Sequence, residues 1–447
     1  MKVVFVENRQ KTWFWEAIAG RLAEAGHEIG WLVQSPVFSA SLGKAVRISL
    51  PDASDLRDSQ DPWFDDIVRS DRNCLYFGGT TRHYEYYRAR LNAGLDELLP
   101  DVVIGEASLF HELIVAKLCK DRGLPYIHPF SARYPAGRFF ALLHDTQDLA
   151  AESGDVLSES DAARAAEEIG SRSTVPFYML RPSRLPGLMK QLRLLRDRVR
   201  LLGGWIMGER YNTPSPWRRL RLTRQLARSL ARWDALARMP SDPERTILYP
   251  LQMQPEANID VLGRGLNDQL ALIEQILRAA PPGVVVAVKG NPKAKYEVSE
   301  GLLRLAESSE RLVLLPRTTT MEGAQRQSKG SITVTGTVGF EAIFGGARCF
   351  SLAHPLITTE FPSFAARHVS EAVERILREP EMGRGNTALG SRLMQRFISQ
   401  SFPGLVSDPT SHPEVMHPQN LREVGRALGH IVDACHVAAP KSAPASL

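Results

Sequence analysis

Four stretches in the second half of the chain gather residue types that handle phosphates and sugars. They are LQMQPE at 251–256, VKGNPKAK at 288–295, LLPRTTT at 314–320 and VTGTVGFEA at 334–342. In the last, Thr335, Gly336 and Thr337 lead into a helix starting near Val338. Two hydroxyls and the N–H groups of a helix N-terminus together suit a phosphate. Gly336 lets the backbone approach a ligand, Gly339 lets the helix pack closely, and Glu341 lies within its first turn. Lys289 supplies positive charge, and Asn291-Pro292 a stiff turn with an amide donor. Gln252 and Gln254 can orient a sugar, and Glu256 offers a carboxylate that can act as a nucleophile or stabilise an oxocarbenium-like centre. Ordinary helix capping and turn chemistry would explain any one of these loops. The four together favour a nucleotide site. Neither a Walker loop nor a GxGxxG is present, which argues against an ATPase or a dinucleotide enzyme.

Strand ends must bring such loops together. KVVFVE, a helix from WFWEAIAGRLAEAG and the run EIGWLV form a βαβ unit beginning at residue 2. DVVIGEAS, LFHELIVAKLCKDRG and LPYIHPFS repeat that grammar, and from Thr246 it restarts with TILYPLQ. Strands alternating with helices predict an α/β fold with parallel sheets covered on both faces, ligands lying beyond the carboxyl ends of the strands. The division expected is an N-terminal Rossmann-like domain over 1–180, a basic helical segment and linker over 181–240, and a second Rossmann-like domain over 241–415. A terminal helix over 416–436 and a disordered Pro/Ala/Ser tail over 437–447 complete it.

The first half offers Glu7, with Asn8 and Arg9, after the first strand and Glu106, with Ser108 and His111 nearby, after a later one. Either glutamate can serve as a general base toward a hydroxyl, with Glu106 preferred. Arg133 and Arg138 are candidates for binding an anionic acceptor, although solvated arginines are the plainer reading. His128 is read as a packed strand residue. Asp65-Asp66 is an isolated acidic pair without metal-ligand context, so no metal and no cofactor are expected. The four cysteines lie far apart, as in a reducing cytosol.

Charge is unevenly spread over the 447 residues. Residues 181–232 carry fourteen Lys and Arg against Asp197 and Glu209, a local net of +12 on a chain whose total is +5. In MKQLRLLRDRVRLLGGWIMG, arginines are interleaved with Leu, Trp, Ile and Met, as in interfacial helices. An anionic membrane surface is the expected partner of 181–232. An anionic glycan ranks second, and nucleic acid is not expected, because no nucleic-acid motif accompanies the charge. The start, MKVVFVENRQ, reads as a strand rather than a signal peptide, and no apolar run reaches spanning length.

YPLQMQPEANI, VKGNPKAKY and TVTGTVGFEAIFGG, in that order, resemble the bacterial capsule polysaccharide biosynthesis proteins, which include the Kdo transferases. The likeness covers Thr246 to Ser351, and the first half only in general grammar. It implies a GT-B architecture, two Rossmann-like domains facing across a cleft. The C-terminal domain would hold a nucleotide-sugar donor, among which CMP-Kdo or a related acidic sugar is one choice. The acceptor would be a glycan or glycolipid, and the protein peripheral at the cytoplasmic face of the inner membrane. In such transferases the strand end matching residues 251–256 carries acidic residues at the reaction centre, and Glu256 stands where one would be. The family's Lys-x-His-Pro is here Lys289-Gly290-Asn291-Pro292, and asparagine carries no positive charge. A glycosyltransferase is the reading this implies, beside a non-catalytic nucleotide- or glycan-binding assembly protein and a GT-B-like nucleotide-sugar epimerase.

Overall fold

The β-branched and aromatic run Lys2–Val6 (β1) buries Val3 to Val6, and the next helix, Thr12–Glu24, turns Phe14, Trp15, Ile18 and Leu22 onto Val3 and Phe5. Gly26, at φ +90°, ends that excursion in a conformation few other residues adopt, and the chain enters Glu28–Val33 (β2). The computed structural model describes residues 1–171, 188–379 and 387–438. The first region continues through Lys44–Arg47 (β3), Val102–Ile104 (β4), Tyr126–Ser131 (β5), Arg138–Leu143 (β6) and Leu149–Ala151 (β7). The second contains Thr246–Pro250 (β8), Val285–Lys289 (β9), Leu312–Leu314 (β10), Gly330–Thr333 (β11) and Cys349–Ser351 (β12), and Ser401–Pro403 (β13) comes last.

Two sheets result. One runs β13-β6-β5-β4-β1-β2-β3, with β7 paired to β6. Its β5-β4-β1-β2-β3 part is parallel, and β6, β7 and β13 pair antiparallel at one edge. The other runs β10-β9-β8-β11-β12 and is parallel throughout. The two parallel runs share one order, in which the first strand sits mid-sheet and the fourth crosses to its far side. Two Rossmann-like α/β domains therefore face each other across a cleft.

The chain crosses between these domains more often than the expected boundaries allow. Helix Glu159–Gly170, placed in the first domain by the sequence reading, buries Ala162, Ala166 and Ile169 with Phe340 and Phe344 of the second. β13, assigned in sequence to the second domain, pairs with β6 of the first, where Phe402 meets Phe139 at 5.9 Å between centroids. This strand covers an edge that would otherwise offer unpaired backbone. The final helix spans Pro418–Ala438 and buries Val424, Leu428, Ile431 and Val432 in one cluster with Ile18 and Leu22. Residues 439–447, in the tail expected to be disordered, lie outside the described residues, as do 181–187 of the basic segment. The rest of that segment forms helices Leu188–Ile206 and Pro216–Leu236. Ser215 caps the latter by accepting from Arg218 N–H, and Trp233 anchors it by donating to Leu315 O at 2.9 Å.

Candidate functional site

The crevice of the second sheet opens between β8 and β11, whose following loops begin with Leu251 and Val334. Gln252 spans it. Its Nε2 donates to Thr335 Oγ1 at 3.0 Å, and its Oε1 accepts from Thr335 N at 3.2 Å. Thr335 Oγ1 donates in turn to Asn258 O at 2.7 Å, and Asn258 Nδ2 to Thr335 O at 3.0 Å. Gly336 is required by space, because a Cβ there would lie 2.4 Å from Thr333 Oγ1. Gly339 lets the helix Val338–Gly345 approach Ile357, 2.8 Å from where a Cβ would sit. Thr337 heads that helix without a side-chain capping bond.

The neighbouring polar residues are largely committed to the protein itself. Gln254 is buried, donating to Asp260 Oδ1 at 2.7 Å and Asn267 O at 2.9 Å while accepting from Gln269 Nε2 at 2.9 Å. The amides after β8 thus lace the loop to both its flanks, which is how a core strand end tolerates them. Lys289 is buried at the end of β9 and donates to Gly290 O at 3.1 Å. Asn291 Oδ1 accepts from Lys293 N at 2.9 Å, a local turn bond. Neither residue lines the cavity described next.

That cavity, of about 190 Å³, lies between the domains. Phe130, Leu142 and Leu149 line it from one side, and Phe340 and Leu356 from the other, while Thr335 and Thr337 place their hydroxyl-bearing side chains in its wall. Beside it, the loop after β5 ties the two domains, although Glu256 and Glu341 do not themselves line the cavity. Arg133 pairs with Glu256, and Tyr134 OH donates to Glu341 Oε1 at 3.2 Å. Glu256 makes no capping bond to the short helix Ala257–Asp260. Its own N–H instead donates to Asp260 Oδ2 at 3.1 Å. Asp260 also accepts from Tyr76 OH of the first domain at 2.6 Å, and Tyr76 stacks on Tyr296 at 5.3 Å. Burial pushes the Asp260 carboxyl up to about 6, against the hydrogen bonds from Tyr76, Gln254 and Glu256 N.

Three groups escaped the sequence reading: His354, Glu360 and Asp260. His354 lines the cavity against the Phe340 ring at 4.5 Å, and burial lowers it to about 4, so it is neutral near pH 7. Glu360 lines the same cavity and accepts two bonds of 2.8 Å from Arg396 Nε. The signal available for His354 was a polar residue after β12 immediately before a helix-starting proline.

In the first domain the equivalent crevice lies between β1 and β4. Asn8 Nδ2 bridges it, donating to Glu112 Oε1 at 2.7 Å and Ser108 Oγ at 3.3 Å. Glu106 is buried, raised by that burial and held by an ion pair with Lys11; it does not line the cavity. Glu7 accepts from Ser35 N at 3.0 Å and is likewise raised by burial, and His111 Nε2 lies 2.8 Å from Glu7 O. Arg138 bonds Ser401 Oγ at 2.9 Å and pairs with Asp155, so it fastens β13. His128 is buried in β5 and lowered to about 3 by desolvation, as a packed histidine would be.

No family model and no curated protein matches the chain. Among solved structures it is similar to KpsC, the β-Kdo 2,7 transferase of Thermosulfurimonas dismutans, at 10% identity over 96% of this chain and 99% of that one, with a TM-score of 0.38. It is also similar to the UDP-GlcNAc 2-epimerase of Methanocaldococcus jannaschii, at 12% over 89% and 99%, with a TM-score of 0.27. A third is the glycosyltransferase VinC in complex with DTDP, at 14% over 98% and 100%, with a TM-score of 0.27. Likenesses this weak say nothing about substrate or chemistry.

Proposed function

We propose that the protein is a glycosyltransferase of bacterial surface polysaccharide synthesis, taking a nucleotide-activated sugar in the interdomain cleft and passing it to a glycan or glycolipid. The supporting observation is the cavity beside the crevice of the second sheet, with Thr335, Thr337 and Arg133 in its wall and Glu256 paired to that arginine. In this reading the helix start receives the donor phosphate and Glu256 faces the anomeric carbon. Glu106, paired with Lys11, is the general base available on the acceptor side. A CMP-linked acidic sugar is the donor favoured by the sequence resemblance, and the reading calls for no metal or other cofactor.

The test is thermal unfolding with CMP, UDP and dTDP. A hundredfold excess over the dissociation constant of the right nucleotide stabilises by about 2.7 kcal/mol. Thr337→Ala, which removes no capping bond, should shrink that shift without lowering the midpoint of the ligand-free protein. Gly336→Val should abolish it, at some cost in stability from the clash with Thr333. Equal shifts in all three proteins would move the nucleotide elsewhere. A second reading, epimerisation of a nucleotide sugar, draws support from His354 and Glu360 in the same cavity. It predicts conversion of the sugar with no acceptor present.

A further inference from the structure

Helix Leu188–Ile206 turns one apolar stripe away from the protein. Leu192, Leu195, Val199, Leu202 and Ile206 are all exposed, the last at 66%. At about 100° per residue these five fall within one stripe of about 80°. The opposite side faces the first domain. Asp197 is buried there, and Gly204 lies where a Cβ would come within 3.2 Å of Val37. Arg196 and Arg200 reach back over Trp13, with guanidinium carbons 5.9 and 4.7 Å from its ring. Arg196 and Arg198 flank the stripe on its two sides. Beyond it, the next basic helix exposes Trp217 at 81% and Leu220, which share a groove with Arg221, Arg224 and Arg228. Among the described residues no helix is long and apolar enough to cross a membrane.

We infer that this stripe docks the protein on the surface of an anionic lipid bilayer, the helix lying in the plane of the headgroups. Charge complementarity selects that occupant. A second copy packed on the stripe would set arginine flanks against arginine flanks, whereas an anionic surface meets both flanks favourably. An interfacial helix shows the same build, apolar on one side, basic at the margins and too charged to span. The inference stands independently of sugar transfer, since it concerns a face of the first domain and not the cleft.

Co-sedimentation of the full chain with vesicles tests it. Phosphatidylcholine vesicles containing phosphatidylglycerol should bind the protein at low salt, and pure phosphatidylcholine should bind it far more weakly. Leu195→Gln with Val199→Gln and Leu202→Gln should lower the partition coefficient by more than about tenfold. Arg196→Gln with Arg198→Gln should lower it and flatten its salt dependence. Leu195, Val199 and Leu202 are exposed, so the unfolding midpoint of the triple variant should stay at the wild-type value. Val156→Gln, at an exposed valine elsewhere, should change nothing. Wild type that ignores anionic vesicles, or stripe variants that bind as wild type does, would overturn the proposal. So would a dimeric wild type that the stripe variants make monomeric, since the stripe would then belong to a second copy.

Discussion

Glu256 and Arg133 meet across the cleft with about a quarter of each side chain still exposed. Such a pair contributes up to about 1 kcal/mol. Glu256→Gln should therefore cost less than about 1 kcal/mol on unfolding and leave nucleotide-induced stabilisation intact, while transfer falls by two or more orders of magnitude. A variant with wild-type turnover would end the catalytic role proposed for Glu256 and leave only the cross-cleft tie. Four residues on, Asp260 is raised from 3.8 to about 6 by burial. A raised carboxyl contributes stability that is complete below its unfolded value and lost as pH rises through its folded value. Relative to Asp260→Asn, the wild type should thus lose ground in unfolding midpoint between pH 4 and pH 6.5. A constant difference across that window would show that the burial does not tune this group. The polar strand ends themselves were legible, because amides, glycines and carboxylates after apolar runs are unusual in type. Their partners were not. Gln252 finds Thr335 across 83 residues of chain, and Arg133 finds Glu256 across 123, distances over which no local pattern carries information.

At the scale of elements, the period of the apolar residues marked the βαβ units, since strands buried on both faces read as unbroken apolar runs. The return of the chain to the first domain left no such mark. β13 is only three residues long, too short to show a period, and its partner β6 lies far back in the chain. The helix Pro418–Ala438 was expected as a terminal helix over 416–436, but its docking partner, Thr12–Glu24, stands at the other end of the sequence. That docking is substantial. Leu428 is fully buried among Val424, Ile431 and residues of the first helix, so Leu428→Ala should cost about 2–5 kcal/mol. Chemical denaturation would read this as a lower midpoint with an unchanged slope. A loss under 1 kcal/mol would mean that the terminal helix is peripheral to the first domain. Nucleotide-induced stabilisation in the second domain should survive the change, because no residue of that helix lines the cavity.

The whole molecule is held together by two kinds of contact across its cleft, and their strengths differ. The polar ones are spread around the rim. Gln147 Nε2 donates to Leu262 O at 3.0 Å and Ala353 O at 2.9 Å, Arg264 pairs with Asp145 and donates to Ser70 Oγ at 2.9 Å, and Asn267 Nδ2 donates to Arg69 O at 2.8 Å. Each neutral bond of this sort contributes about 1 kcal/mol net, and those to charged groups about 1.5–3. The apolar ones include Tyr76 on Tyr296 at 5.3 Å and Tyr134 against Phe344 at 5.9 Å, and one ring touches both domains. Phe397 lies 4.8 Å from Phe340 of the second domain and 5.9 Å from Phe140 of the first sheet, and it is buried with Ala162 and Ala166 of the crossing helix. Removing a buried Phe costs about 3–5 kcal/mol, more than any single rim bond supplies. Phe397→Ala should consequently weaken the coupling between the domains more than either domain's own sheet. Scanning calorimetry of the wild type should give one transition, and of Phe397→Ala two, with added nucleotide raising only the one that belongs to the second domain. Arg264→Ala, which removes rim bonds alone, should lower the midpoint while keeping a single transition. If Phe397→Ala still unfolds in one step that nucleotide shifts as a whole, the rim and not the ring couples the two halves.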